Sequence, residues 1–307
     1  MKIAITPSAT KTRLPLHKVL GEAEPSSGSP YGSTRWKRLL ACPRAHALYE
    51  VLGLRSEKPN EALDIGTIFH KALELYYTGL KTHKKTKPAE EEMWTALRPL
   101  ETADGWGKEW NIVERMMTNY LNMYAQRDKF EVLDVEVTLQ TSRHGFPYSA
   151  RLDTLILDKS TTAGAVWVLE HKSAGRIDAD TVDGYSLDLQ ILGQHYLVET
   201  CYPLKGLPPF LGVLVNITTK HVATQFERVR VQPSREMLDH WKRDMKRWEQ
   251  VRKITERLDY PRNLQACVGR YGRCQYFDVC RTYPNATLAD LRDETPAGFT
   301  RIEKRSR

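Results

Sequence analysis

Two runs of the sequence decide the fold: Ser149-Ala150-Arg151-Leu152-Asp153-Thr154-Leu155-Ile156-Leu157 and Ala165-Val166-Trp167-Val168-Leu169-Glu170-His171-Lys172, joined by the polar stretch from Asp158 to Gly164. Both are rich in aliphatic and β-branched residues and the linker carries turn chemistry, so together they read as an antiparallel hairpin. If the turn is centred between Thr161 and Thr162, Asp153 falls directly opposite Glu170. Side chains alternate along a strand, so Val166, Val168, Glu170 and Lys172 share one face while Trp167, Leu169 and His171 take the other. A strand apolar on both faces that ends in Glu and Lys is unusual, because burying two carboxylates and an ammonium is costly without compensation. A divalent cation would compensate, and paired carboxylates with backbone carbonyls suit Mg2+ or Mn2+, with a lysine beside them to hold a phosphate. The plainer reading keeps Asp153 and Glu170 as exposed strand ends with Lys172 as their ion-pair partner.

Outward from this hairpin, the chain has 307 residues, 41% hydrophobic and 27% charged, a balance that excludes disorder throughout. No stretch approaches the roughly 18 consecutive apolar residues of a membrane helix, and the opening Met1-Lys2-Ile3-Ala4-Ile5-Thr6 is too short for a secretory leader. A cytoplasmic protein is expected. Lys and Arg number 46 against 38 Asp and Glu, a net +8 that suits a polyanionic partner without identifying one. Five cysteines, an odd count, argue against a disulfide framework, which leaves metal binding or burial.

Residues 1–30 show no sustained apolar periodicity and read as a flexible arm. Ser33 and Thr34 open a helix carrying Trp36, Leu39 and Leu40, interrupted at Pro43, and residues 61–77 form an amphipathic helix with His70 in its middle. Residues 82–88 read as a basic turn, and Trp110 to Arg127 repeats apolar residues at helical spacing. From Glu131 the period becomes two, with Val135, Val137 and Leu139 alternating with Glu136 and Thr138. Further strands are expected near 210–218 and 222–231, with a helix at 186–199 before them and a long helix at 234–257 after them. Cys201, at the end of the first of those helices, reads as a packed core thiol.

In this order the motifs resemble the PD-(D/E)xK superfamily of nucleases. Gly66-Thr67-Ile68-Phe69-His70 resembles the G-x-x-x-H helix of its RecB-like members, Asp153 the aspartate of the second motif, and Glu170-His171-Lys172 the E-x-K. Cys42-Pro43-Arg44 resembles the family's opening C-P-R. The helix containing Gln190, Gln194 and Tyr196 resembles its Q-x-x-x-Y, with Gln194 four residues after Gln190 and the tyrosine at Tyr196. The resemblance implies an α/β, restriction-endonuclease-like fold, a mixed central sheet flanked by helices with extra helical insertions. It implies a nuclease domain over 31–283, with an insertion about 80–128, a cysteine segment at 261–283 and a loosely packed tail at 284–307.

It further implies a metal site of His70, Asp153, Glu170 and the backbone carbonyl of His171 holding Mg2+ or Mn2+, with Lys172 and Gln190 in the catalytic set. Arg44, Gln190 and Tyr196 are the implied nucleic-acid contacts, joined by Arg35, Lys37, Arg38 and the basic side of the 234–257 helix. In the resembled subgroup, which includes the AddB nuclease domain and CRISPR-associated RecB-like exonucleases, one early and three late cysteines bind a [4Fe–4S] cluster. Cys42, Cys267, Cys274 and Cys280 match that set, although C-x6-C stands where C-x2-C is usual, and four thiolates serve Zn2+ as well. The implied function is a metal-dependent DNA nuclease, an exonuclease on single-stranded ends, with recombination, repair or CRISPR-adaptation proteins as partners. A catalytically silent DNA-binding relative and a structure-specific endonuclease are the alternatives.

Overall fold

In the computed structural model, residue 14 and residues 16–21, 29–57, 61–269 and 272–302 are described. Among them, five strands form the central sheet: β1 (Phe130–Thr141), β2 (Tyr148–Asp158), β3 (Ala165–Ala174), β4 (Phe210–Thr219) and β5 (Phe226–Val231). They lie side by side in chain order, antiparallel throughout except for β3 and β4, which run parallel. A parallel pair needs a crossover, and the segment supplying it contains the helix Leu189–Cys201. This is the mixed sheet flanked by helices that the sequence led us to expect.

The hairpin register is the expected one, with Thr154 against Leu169 and Asp158 against Ala165. The alternation along β3 also holds. Trp167 and Leu169 pack with Ile156 and Leu214 beneath three helices, α1 (Glu61–His83), α2 (Thr86–Leu97) and α3 (Gly107–Tyr124). Val166 and Val168 pack with Val213, Val215 and Ile217 on the other face, under α4 (Leu189–Cys201) and α5 (Arg235–Arg257). Each fully buried aliphatic side chain of this kind stabilises the fold by roughly 1.5–3 kcal/mol, so β3 is fixed from both sides until its apolar run ends at Leu169.

Three expectations need correction. The basic turn is shorter than 82–88: α1 continues to His83, Lys84 turns the chain at φ 55°, and α2 begins at Thr86. Pro88 does not break this helix because it lies in the first turn, where its missing N–H has no partner to lose. Within the expected arm, Leu16–Val19 form a helical turn, Leu16 and Val19 pack on the first core, and the Trp106 indole N–H donates to the Leu14 carbonyl at 3.0 Å. Much of residues 1–28 lies outside the described residues.

Residues 284–302 of the expected loose tail are also packed. Leu288–Asp293 form a helix whose cap residue Thr287 and Asp290 bond each other reciprocally, and Phe299–Arg301 pair antiparallel with Leu54–Ser56. Leu288, Leu291, Tyr276 and Val279 join Leu48, Leu52 and Leu54 in a third, smaller core that holds early and late chain together. Among the described residues no helix is long and apolar enough to cross a membrane.

The sheet packs tightly on α4 at Gly193, where a Cβ would lie 2.1 Å from the Tyr148 hydroxyl and 2.3 Å from its ring. We expect Gly193→Ala to destabilise the protein by about 1–3 kcal/mol, measured by urea denaturation, with Gly184→Ala, which meets nothing within 4 Å, as the near-neutral control.

Candidate active site

The β2–β3 pairing stops at Thr154–Leu169, while β3 continues against β4 as far as Ala174–Thr219. The sheet therefore forks at the next two positions, which are Asp153 and Glu170. A side chain replaces the lost ladder: Asp153 Oδ2 accepts the His171 backbone N–H at 2.9 Å, and His70 Nδ1, from α1, lies 3.4 Å from the same oxygen. Glu170 is 1% exposed and is held from the opposite face by α4. Its Oε1 accepts from Lys172 Nζ (2.5 Å) and Gln190 Nε2 (2.6 Å), and its Oε2 accepts from Gln194 Nε2 (2.6 Å). Lys172 also donates to Gln190 Oε1 at 2.8 Å, and its side chain keeps 26% of its surface open to solvent.

The fields at the fork pull the two acids apart. Burial, and then the Asp153 charge, push the Glu170 carboxyl above its ordinary range. Burial opposes ionisation of Asp153 too, but His70, through its charge and hydrogen bond, holds that carboxyl well below the carboxylate range. At His70 burial is opposed by the charge and hydrogen bond of Asp153 together with Glu170, and at Lys172 by Glu170, Asp153 and Asp188, so both are raised. The His171 ring is separate. It points to the first core, 5.4 Å from the Tyr77 ring and 5.9 Å from that of Tyr120, and burial lowers it to about 3, so it is neutral. Only its backbone belongs to the fork.

One site residue escaped the sequence reading. β1 pairs Val135 with Thr154 and Val137 with Leu152, leaving Glu136 across from Asp153 in a left-handed conformation, φ 53°. Such a backbone costs a non-glycine residue about 1–3 kcal/mol. Arg151 Nε contacts Glu136 Oε2 at 2.5 Å, and burial, then Asp153, push this third carboxyl up to about 7. In sequence Glu136 looks like any outward position of an alternating strand.

Gln194 stands four residues after Gln190, so the two share a helix face, and both meet Glu170. Tyr196, two residues on, turns away. It is 3% exposed, its ring lies 5.3 Å from Trp241, and its hydroxyl lies 3.0 Å from His144 Nδ1. The structure does not bring it to the fork. Nor is Arg44 an open phosphate contact. It is 7% exposed, and its guanidinium donates to the Ala286 carbonyl and to Asp259 Oδ2. Nearby cations are engaged as well: Lys37 with Asp188 at 2.7 Å and Arg38 with Glu50 at 2.5 Å.

Cys42 and Cys267 both meet Asn263, and Cys274 follows on the Cys267 backbone. The Asn263 backbone N–H donates to Cys42 Sγ at 3.5 Å, Cys267 Sγ donates to the Asn263 carbonyl at 3.9 Å, and the Cys274 N–H donates to the Cys267 carbonyl at 2.9 Å. Burial raises the Cys274 thiol, with Cys42 and Cys267 adding to the effect; burial also raises Cys280, with Cys42 and Cys274 adding and Arg44 opposing. Cys201 stands apart. It is exposed rather than packed in a core, with its Sγ 3.6 Å from the Gln140 carbonyl.

Among the described residues no three His, Cys, Asp or Glu side chains are drawn into a metal-holding group. The donor set at the fork nevertheless fits a hard or borderline divalent ion in its chemistry: two carboxylates, an imidazole and a main-chain carbonyl. Two carboxylates near enough to push Glu170 up also gain from any added cation.

The sequence model of the PD-(D/E)XK nuclease superfamily matches residues 33–281. No curated protein matches the sequence. Among solved structures, a candidate exonuclease from Eubacterium rectale is similar at 12% identity, with 84% of this chain and 89% of that one covered and a TM-score of 0.49. SSO0001 is similar at 11% identity, with 60% of this chain and 74% of that one covered and a TM-score of 0.28.

Replacing Gln194 with Met keeps the volume and removes the donor to a buried carboxylate. We expect a loss of about 1.5–3 kcal/mol, the range for a hydrogen bond to a charged group, in urea denaturation without added metal, and a smaller loss for Gln194→Glu at pH 5, where a protonated carboxyl can still donate.

Proposed function

The chain belongs to the PD-(D/E)XK nuclease superfamily, and from that premise we propose that it is a divalent-metal-dependent deoxyribonuclease, an exonuclease on single-stranded DNA ends. The carrying observation is the fork, which sets Asp153 and Glu170 at adjoining strand ends with Lys172 bonded to Glu170 and open to solvent. In this reading His70, Asp153, Glu170 and the His171 carbonyl hold Mg2+ or Mn2+, which when bound supplies Lewis acidity at the phosphate.

The remaining work falls to the chain. Glu170 keeps Lys172 protonated, so its ammonium neutralises charge that develops on the phosphoryl oxygens during cleavage. Gln190 bonds both Lys172 and Glu170; it fixes the direction of the amine and presents its amide to the nucleic-acid backbone. His70 holds Asp153 ionised, and the His171 N–H fixes its rotamer. The net +8 charge favours a polyanion.

The same reading places the chain in the RecB-like and AddB-like subgroup, with a nuclease domain over 31–283 and recombination, repair or CRISPR-adaptation proteins as cytoplasmic partners. It assigns a [4Fe–4S] cluster to Cys42, Cys267, Cys274 and Cys280, supported by the electrostatic influence of these thiols on one another. A covalent tie between residue 42 and residues 267–280 closes a very long loop, where cross-linking removes the most chain entropy.

The chemistry is tested with labelled single- and double-stranded oligonucleotides, blocked at either the 5′ or the 3′ end, in Mg2+ or Mn2+. Degradation should need a free single-stranded end and a metal, and Lys172→Ala and Asp153→Asn should each lower it by about 100-fold or more. A wild-type protein inert with every metal would sink the nuclease assignment, and nicking of a closed circle would sink the exonuclease one. For the cysteines, anaerobic purification should give about four iron and four sulfide per chain, lost in Cys42→Ser together with thermal stability. Zinc without iron would replace the cluster by a zinc site.

A further inference from the structure

At the outer end of the first core, away from the fork, the ends of α1 and α3 and the start of β1 enclose a cavity of about 490 Å3, inside the ~300–1,000 Å3 range of small-molecule sites. Its walls are tyrosines: Tyr76 and Tyr77 from α1, Tyr120 and Tyr124 from α3. Tyr76 and Tyr77 are 2% exposed and Tyr120 is 0% exposed, so these walls are fixed before anything binds. Two of the hydroxyls satisfy each other, Tyr77 to Tyr120 at 2.7 Å. Tyr76 and Tyr124 line the cavity beside this pair.

The mouth is cationic. Lys84, Lys129 and Lys159 lie on it, and two of them share one carboxylate, Glu131, at 3.9 Å for Lys84 and 2.5 Å for Lys159. The other acid, Asp128, is occupied by a bidentate pair with Arg228, at 2.7 and 3.0 Å. Lys129 is exposed and has no ion-pair partner among the described residues. Three ammoniums therefore have one carboxylate, Glu131, among them, and the excess is positive.

A flat ring for the tyrosine walls, polar edges for the Tyr76 hydroxyl, and a compact anion for the lysines are together the chemistry of a nucleoside phosphate. We propose that this cavity binds a free mononucleotide, with the base against Tyr76 and Tyr124 and the phosphate at Lys129 and Lys159. The site shares no residue with the acidic fork. Its floor nevertheless reaches the fork strand, since Asn216 Nδ2 donates to the Tyr120 hydroxyl at 3.0 Å and lies 3.4 Å from His171 Nδ1.

Calorimetric titration of the full chain with dAMP, without divalent metal, tests the proposal directly. One saturable site is expected. The double variant Lys129→Glu/Lys159→Glu, altered at solvent-facing positions, should bind roughly tenfold or more weakly, and Tyr76→Phe, which keeps the ring, should weaken binding severalfold. Asp153→Asn should bind as the wild type does, and thermal melting should show each variant folded. The proposal is overturned if dAMP shows no saturable binding at millimolar concentration, or if the cavity variants bind normally. It is equally overturned if Asp153→Asn abolishes binding, which would move the ligand to the fork, or if a 5′-phosphorylated 20-mer binds and the mononucleotide does not.

Discussion

The arrangement of the candidate site depends on one interruption: β2 and β3 cease to pair after Thr154–Leu169, and the Asp153 carboxylate takes over as acceptor for the His171 N–H. A main-chain donor that loses its ladder partner inside a protein must find another, and an aspartate supplies it while keeping its second oxygen available. The fork thus produces two things from one residue, a satisfied backbone and a fixed carboxylate. Because β3 continues alone against β4, Glu170 and Lys172 stay in regular strand geometry next to an opening. The chemistry sits at the boundary between paired and unpaired sheet.

Two like charges at that boundary would repel if the surroundings were apolar. α1 brings His70 to one acid and α4 brings two glutamine amides to the other, so each carboxylate is compensated from a different layer. This division explains why the two layers must be held in register by separate cores. The strained Glu136 belongs to the same balance: it adds negative charge beside Asp153 and is offset by Arg151. Strain of this kind persists only where surrounding packing over-determines the backbone.

The hairpin register and the faces of β3 were legible because alternation and turn symmetry are local properties, and they held. Gln194 was half legible, since its spacing from Gln190 is a helix property but its target lies on another element. Glu136 was not legible, because the left-handed backbone that sets it apart has no sign in Val135-Glu136-Val137. Tyr196 and Arg44 carry the right chemistry for nucleic-acid contact, yet tertiary packing spends their polar groups on His144, Ala286 and Asp259. The packed C-terminal segment was missed for a related reason: its apolar residues are too sparse for a periodicity and gain their partners from residues 47–56 and from Tyr276 and Val279.

That pairing of Leu54–Ser56 with Phe299–Arg301 has a consequence for how the protein is made. On a ribosome adding about 5–20 residues per second, the early strand waits roughly 12–50 s until residues 299–301 are made. The small core around Leu48 and Tyr276 stays open through most of that interval. The central sheet, whose last strand ends at Val231, is therefore made well before this small core can close.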